Sequence, residues 1–223
     1  MAVLLFMLFK NNWLFLIVTQ LVILTVIFNP KLVEGYDSSL LIYREDWREI
    51  PAATPVTQEH ISHPNLSLHL YGLAKQCLKK SHHPELINDP YYVWSGKCLN
   101  NWAVTFKHRQ FLINLTGVSK IRWRTKQSGF RRLHIILKLE DGTWLVSEQS
   151  EKSSKDWKVS EFNLIDIQWH KLNIETITES WKLSSVDLSR VDEIGFSDLM
   201  KGGLTAASSR IDWIEVYGKP VKR

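Results

Sequence analysis

Short runs in which every second residue is apolar recur along most of this chain. In the clearest run, Leu or Ile occupies positions 133, 135, 137 and 139, and Asp141-Gly142 separates it from Trp144-Leu145-Val146. A period of two is that of a β-strand with one buried face, and an Asp-Gly pair between two such runs is typical of a β-hairpin. The pattern therefore predicts antiparallel strands and excludes a helical bundle.

Similar runs predict the other strands, and no long helical period follows residue 36. They cover residues 66–71, 91–94, 102–106, 111–115, 121–125, 157–162, 167–174, 193–196 and 211–217. Strands at this spacing indicate one all-β sandwich over residues 61–223. Residues 36–60 are charged at 44–49 and interrupted by Pro51 and Pro55, which predicts a connector before the sandwich.

The N-terminal 35 residues are dominated by an apolar stretch. Between Trp13 and Phe28 only Thr19, Gln20 and Thr25 are polar, a run of sixteen residues. A membrane-spanning helix needs about 20 apolar residues and the apolar core of a secretory signal about 7–15, so residues 1–35 fit a signal peptide cleaved before residue 36 or an uncleaved signal anchor. Either alternative predicts that the remainder is secreted or lies in the periplasm or cell envelope, with membrane contact only through this segment.

Charge and cysteine content narrow the function classes further. The formal net charge of +5 is mild, whereas a nucleic-acid-binding surface is usually strongly and locally basic, so no nucleic-acid partner is expected.

Cys77 and Cys98 are the two cysteines. In an exported protein they predict a disulfide, which would contribute on the order of 3 kcal/mol by closing the loop between them.

The C-terminal third contains segments like those of a known domain class. Asp187–Phe196 and Ile211–Gly218, with Leu115–Arg124 upstream, resemble galactose-binding-like β-sandwich domains, near the branch of the complex I intermediate-associated proteins and related carbohydrate-binding modules. The resemblance covers roughly residues 95–218. It implies an antiparallel jelly-roll β-sandwich, often with a structural Ca²⁺ and in some members with a sugar held by aromatic side chains.

Ten tryptophans are the outstanding feature of the composition. Strand alternation places Trp123 in the core, and Trp213 either in the core or on a second apolar face. Sugars stack their C–H faces on aromatic rings and hydrogen-bond to neighbouring polar groups, and the loop from Trp94 to Trp102 combines such residues. The predicted ligand-binding residues are Trp94, Asn100, Asn101, Arg124 and Trp144. They favour a monomeric, non-enzymatic domain that binds a carbohydrate or a cell-surface glycan.

Two other functions stay open at this point. A polysaccharide hydrolase or lyase would use a carboxylate pair such as Asp192 and Glu193, although the chain contains neither G-x-S-x-G nor H-E-x-x-H. An envelope assembly or scaffold protein would use its Trp and Arg surface to contact another protein.

Two further site predictions concern ions. A structural calcium would take Asp212 from the last strand and Glu45 or Asp46 from upstream. Strict alternation places Asp212 and Glu215 on opposite faces, so at most one of them can join a single site. The arginines at 122, 124, 131 and 132 predict either a face for a sulfated or uronic-acid polymer or a solvated sheet face.

Overall fold

The computed structural model describes residues 39–96, 98–201 and 207–223. The predicted signal or anchor segment, residues 1–35, lies outside these ranges. No helix within them is long and apolar enough to cross a membrane. The described chain is all-β, and every strand pairing in it is antiparallel, as the alternation predicts.

Strands and three short 3-10 turns make up the regular structure of the described residues. The strands are β1 (Leu40–Glu45), β2 (Leu66–Tyr71), β3 (Lys79–Ser81), β4 (Tyr92–Trp94), β5 (Trp102–His108), β6 (Phe111–Asn114), β7 (Lys120–Thr125), β8 (Leu133–Leu139), β9 (Trp144–Glu151), β10 (Lys158–Asn163), β11 (Trp169–Asn173), β12 (Thr178–Lys182), β13 (Val191–Asp198) and β14 (Arg210–Lys222). The 3-10 turns are Gln58–His60, Lys75–Cys77 and Leu164–Asp166.

The first sheet is built around β14. β7 pairs along one side of β14 and carries β10 on its own far side. β1 and β4 pair with the other side of β14, and β3 extends the sheet from β4.

The second sheet has the order β2-β5-β13-β8-β9-β11-β12. The predicted hairpin at Asp141-Gly142 joins β8 to β9, and Gly142 has a φ of +88° there, a left-handed conformation that favours glycine. The last residues of β14 cross to this side of the molecule and pair with β6, which itself touches β13. β14 therefore belongs to both layers.

The main hydrophobic core lies between the two sheets. Alternation along β7 buries Ile121 and Trp123 while the residues between them stay partly exposed. From the second sheet, Phe106, Ile135 and Phe196 join the same cluster. The core position predicted for Trp123 is confirmed, because its side chain is fully buried.

The structure differs from the sequence prediction between residues 39 and 60. Residues 40–45, within the predicted connector, form β1 and pair with β14. Tyr43, Trp47 and Val56 are buried in the main core. This part of the predicted connector therefore belongs to the sandwich, because its apolar side chains complete the edge of the first sheet.

Candidate functional site

The outer face of the first sheet carries a dense set of charged and aromatic side chains. Its position is set by an irregularity in β14, where the pairing with β7 shifts register between Ile211 and Trp213. Such a bulge lets two successive residues point to the same side. Ile211 and Ile214 enter the core, whereas Trp213 stands opposite Arg124 on the outer face.

Of the two positions predicted for Trp213, the core is therefore wrong, and the bulge is the reason. The residue is still only 9% exposed, because arginine side chains of the outer face lie over its ring. The Arg44 guanidinium carbon lies 4.3 Å from the ring centroid, and that of Arg122 lies 5.9 Å away. The prediction that Asp212 and Glu215 occupy opposite faces fails for the same reason, since each pairs with an arginine of this face.

Ion pairs connect the strands across this face. Arg44 Nη1 donates to Glu215 Oε1 at 2.7 Å, and its Nε donates to Asp46 at 2.8 Å. Arg122 Nη1 donates to Glu215 Oε2 at 3.1 Å, so one carboxylate joins two arginines. The Arg122 Nε lies 3.4 Å from Glu161 on β10. The network thus runs from β1 through β14 and β7 to β10.

Arg124 forms the second pair of this surface. Its Nη1 donates to Asp212 Oδ2 at 2.7 Å, and its guanidinium carbon lies 5.4 Å from the centroid of Trp157. Burial raises the pKa of Asp212, and the charge of Asp46 adds to this, while the hydrogen bond from Arg124 opposes it. The Trp157 ring also meets Tyr92 edge-on at 5.4 Å.

An open groove of about 430 Å³ lies beside these pairs. One side is formed by Arg44, Arg124, Asp212 and Trp213 of the first sheet. The other side is formed by two loop segments, residues 46–49 and residues 88–91. We call this depression, together with Trp157 next to it, the sheet-one groove.

The sheet-one groove combines hydrogen-bonding groups with flat apolar surface. Guanidinium groups supply several fixed N–H donors and carboxylates supply acceptors, while aromatic rings supply flat apolar surface. Each arginine is oriented by a carboxylate, which reduces the side-chain freedom lost when a ligand binds.

The predicted ligand-binding residues are not all brought together. Arg124 lines the groove, but Trp144 belongs to a second hydrophobic cluster on the second sheet. There its ring meets that of Tyr71 at 5.0 Å and only 8% of the residue is exposed.

In the predicted binding loop between Trp94 and Trp102, Asn101 has a structural role. Asn101 is buried, and its Nδ2 donates to the carbonyl oxygens of Ile177 at 2.9 Å and Leu199 at 3.2 Å. Asn100 is exposed. Trp94 is partly buried at the end of β4, with the Arg210 guanidinium carbon 5.7 Å from its ring centroid.

The residues that the sequence prediction missed are Arg44, Tyr91 and Trp157. Arg44 lies in the predicted connector, and nothing in its local pattern marks it as part of a sheet. In the structure it lies opposite Glu215, its register partner on β14.

Asp192 and Glu193, the carboxylate pair of the alternative enzymatic function, lie on the second sheet. Glu193 is 1% exposed. Its Oε2 accepts hydrogen bonds from Thr105 at 2.6 Å and Tyr71 at 2.9 Å, and lies 3.0 Å from His69 Nδ1. Lys138 Nζ donates to the other oxygen at 3.0 Å.

Hydrogen-bonding partners keep the carboxyl groups of both Glu193 and Asp192 ionised. Burial raises the pKa of Glu193, but hydrogen bonds from His69, Thr105, Lys138 and Tyr71 outweigh it and lower the pKa to about 2. Burial likewise opposes ionisation of Asp192, and hydrogen bonds from Arg223 and Lys107 leave its pKa below the ordinary value. Neither carboxyl group holds a proton at neutral pH, as the general acid of a glycosidase must.

The two predicted calcium ligands have protein partners of their own. Both oxygens of Glu45 accept backbone N–H groups, from Trp47 and Ser62 at 2.8 Å and from His63 at 2.9 Å. Asp212 pairs with Arg124. Among the described residues no group of three or more His, Cys, Asp or Glu side chains is arranged to hold a metal ion.

Cys77 and Cys98 are present as thiols that lie near each other. The carbonyl oxygen of Ala74 accepts the backbone N–H of Cys77 at 2.9 Å and the thiol of Cys98 at 3.9 Å. Burial, with the nearby Cys77 thiol, raises the pKa of Cys98 to about 12. The disulfide stays a prediction.

The four predicted arginines do not share one face. Arg122 and Arg124 lie on the sheet-one face, whereas Arg131 is buried and pairs with Asp198 at 3.1 Å. Its Nη1 also donates to the carbonyl of Met200 at 2.8 Å. Arg131 is therefore a structural residue that anchors the chain after β13.

Comparisons with known proteins were made for the whole chain. No protein-family model matches it, and no curated protein does. Solved structures that match include the family 11 carbohydrate-binding module of a cellulosomal cellulase of Clostridium thermocellum, with 13% identity, 81% of this chain and 95% of that chain covered, and a TM-score of 0.44. A family 29 carbohydrate-binding module mutant complexed with mannohexaose matches at 10% identity, covering 78% of this chain and 91% of that chain, with a TM-score of 0.45.

Proposed function

We propose that the domain binds a carbohydrate chain in the sheet-one groove and does no chemistry on it. The observation that carries this proposal is the combination, on one open sheet face, of carboxylate-oriented arginines with aromatic rings. Sugar rings present hydroxyl groups that donate and accept, next to apolar C–H faces. Arg44, Arg124 and Asp212 match the hydroxyls, and Trp157 offers a partly exposed ring for the C–H faces.

The ion pairs of this face favour a neutral sugar. Arg44 and Arg122 share Glu215, and each has a second acidic neighbour, while Arg124 pairs with Asp212. A sulfated or uronic-acid polymer would have to displace these carboxylates from their arginines. The acidic groups of the groove, which also include Glu49 and Asp89, would repel such a polymer.

Export and a disulfide belong to the same proposal. A domain that binds extracellular or envelope polysaccharide must leave the cytoplasm, which agrees with the apolar N-terminal stretch of the sequence. An oxidising compartment would join Cys77 to Cys98. The enzymatic alternative is disfavoured for the Asp192–Glu193 pair, because both groups are ionised at neutral pH.

The test is a binding titration with cellohexaose and mannohexaose, the latter being the ligand of one structural neighbour. Isothermal calorimetry on the full chain compares the wild type with Trp157→Ala, which removes the partly exposed ring of the groove. Trp181→Ala is the matched control, since Trp181 is 62% exposed on β12 of the other sheet. We expect about tenfold weaker binding for Trp157→Ala, which corresponds to about 1.4 kcal/mol, and unchanged binding for Trp181→Ala.

Three outcomes would contradict the proposal. The first is no heat of binding from either sugar with the wild type at millimolar concentration. The second is an equal loss of affinity in both variants, and the third is the appearance of shortened products during the titration. Melting temperatures of the two variants, measured in parallel, show that each is folded.

A further inference from the structure

The loop side of the sheet-one groove consists of two chain segments that are distant in sequence. Residues 46–49 follow β1, and residues 88–91 precede β4. Neither segment is itself in a strand, so its position depends on contacts to neighbouring elements. Lys80, in the middle of β3, contacts Tyr91 of the second segment and Ile50, the residue directly after the first.

Lys80 is a fully buried lysine with 0% exposure. Its Nζ donates to the carbonyl oxygen of Ile50 at 2.6 Å, directly after the first segment. Its backbone N–H and carbonyl pair with those of Ala53 at 2.9 and 3.1 Å. These hydrogen bonds hold residues 50–53, which follow the first loop segment, against β3.

The same ammonium group lies against the second segment. Lys80 Nζ is 3.9 Å from the centroid of the Tyr91 ring, a cation–π distance. His82 stacks on Tyr91 as well, with 4.0 Å between centroids and 18° between planes. Two groups this near one ring centroid must occupy opposite faces, so Tyr91 is clamped between Lys80 and His82.

We propose that Lys80 is a positioning residue of the sheet-one groove, whose buried ammonium ties the Ile50 carbonyl to the Tyr91 ring and so fixes the spacing of the two loop segments. The inference rests on the proposed sugar-binding function of that groove. Lys80 itself does not touch the ligand.

The contacts of Lys80 with Ile50 and Tyr91 should depend on pH, and the direction follows from the pKa of Lys80. Burial lowers the pKa of Lys80 to about 8, and the charge of Glu49 opposes this. The other titratable groups around the ammonium are His60, whose pKa is lowered by burial and further by this charge, and the Tyr91–His82 stack. When the loop segments open, Lys80 returns to its ordinary, higher pKa, so the opened state binds more protons than the closed one. Raising the pH from 8 to 10 therefore favours the closed arrangement, in which the neutral amine still donates to the Ile50 carbonyl.

The experiment measures amide hydrogen exchange and sugar affinity on the full chain between pH 7 and pH 9.5. The variant is Lys80→Met, which keeps the length of the side chain and removes its charge. Lys79→Met is the matched control, because Lys79 is the neighbouring, partly exposed lysine of the same strand. Exchange rates are corrected for their intrinsic pH dependence by comparison with amides of β8.

We expect the amides of residues 50, 52, 53 and 91 to exchange about tenfold faster in Lys80→Met at pH 7. In the wild type the corrected exchange rates should fall as the pH rises through 8, with Lys79→Met like the wild type throughout. Affinity for cellohexaose or mannohexaose should be weaker in Lys80→Met at pH 7 and should rise with pH only in the wild type.

The two proposals fail separately. Exchange in Lys80→Met equal to that of the wild type at every pH overturns the positioning role, whether or not sugar binds. Faster exchange without any sugar binding leaves the clamp intact and overturns the proposed function. Faster exchange with unchanged sugar affinity shows that Lys80 stabilises the loops without positioning the groove, which also overturns the inference. If Lys80→Met does not fold, the wild-type pH series decides: corrected exchange rates at residues 50, 52, 53 and 91 that do not fall between pH 8 and pH 9.5 overturn the inference.

Discussion

Glu193→Gln should destabilise the protein strongly at neutral pH and hardly at all in acid. The native carboxylate is held by three hydrogen bonds and by His69 at 3.0 Å, and its pKa is lowered from 4.5 to about 2. A difference of this size corresponds to about 3 kcal/mol of stability, since each pKa unit is about 1.4 kcal/mol. The residue is 1% exposed, so solvent screening reduces this figure little.

The sign of the pH dependence follows from linkage. A carboxyl group with a lower pKa in the folded state binds fewer protons when folded than when unfolded. Its contribution is complete above pH 4.5 and is lost as the pH falls toward 2. Glutamine has no such dependence.

Urea unfolding of wild type and Glu193→Gln at pH 7, 5, 4 and 3 measures the effect. We expect the difference in unfolding free energy to be about 3 kcal/mol at pH 7 and to shrink steadily below pH 4.5. Glu161→Gln is the control, since its carboxylate is 43% exposed and pairs with Lys120 at 3.0 Å on the surface. Such a pair contributes less than about 1 kcal/mol.

A difference below about 1 kcal/mol at pH 7, or one that does not change between pH 7 and pH 3, would refute this reasoning. Sugar binding provides an independent check. Glu193 lies on the second sheet, so affinity for a sugar in the sheet-one groove should not change. Loss of affinity in a Glu193→Gln variant that is still fully folded would place the ligand on the second sheet.

Three further predictions follow from other contacts. Arg124→Gln should weaken binding of cellohexaose or mannohexaose about tenfold in calorimetry with little change in melting temperature, because the guanidinium is partly exposed; unaltered affinity would remove it from the site. In the reduced protein a thiol reagent should label exposed Cys77 quickly and buried Cys98 only on unfolding, since burial raises the pKa of Cys98 to about 12, whereas equal labelling rates would contradict this burial. Relative to Lys80→Met, wild-type stability in urea should rise between pH 8 and pH 10, because the unfolded lysine binds more protons there than a folded lysine of pKa about 8; a flat difference would argue against a buried ammonium.

Most of the sheet framework could be predicted from residue alternation. β2 and β8 match the predicted residues 66–71 and 133–139, and the Asp141-Gly142 hairpin is present. Two of the missed strands lack a usable pattern. β12 is exposed along its whole length, so no apolar period marks it, and β3 has only three residues.

The candidate site was less predictable than the fold. Arg124 was predicted, and it lines the groove. Trp144 and Asn101 combine the residue types of a sugar site, but one packs in the second hydrophobic cluster and the other bonds to backbone carbonyls. Composition cannot distinguish a sugar-binding residue from a packing residue, because both roles use aromatic and amide side chains near strand ends.

Residue alternation was enough to predict the all-β class, most strands and the buried side of regular strands such as β7 and β8, because these depend on a local period of two. The meeting place of the charged and aromatic residues depends on how distant strands pair. The bulge between Ile211 and Trp213 turns one tryptophan out of the core, and β1 brings Arg44 to Glu215 across 171 positions of sequence. Both are pairing events between distant strands, and no local pattern in either strand records its partner.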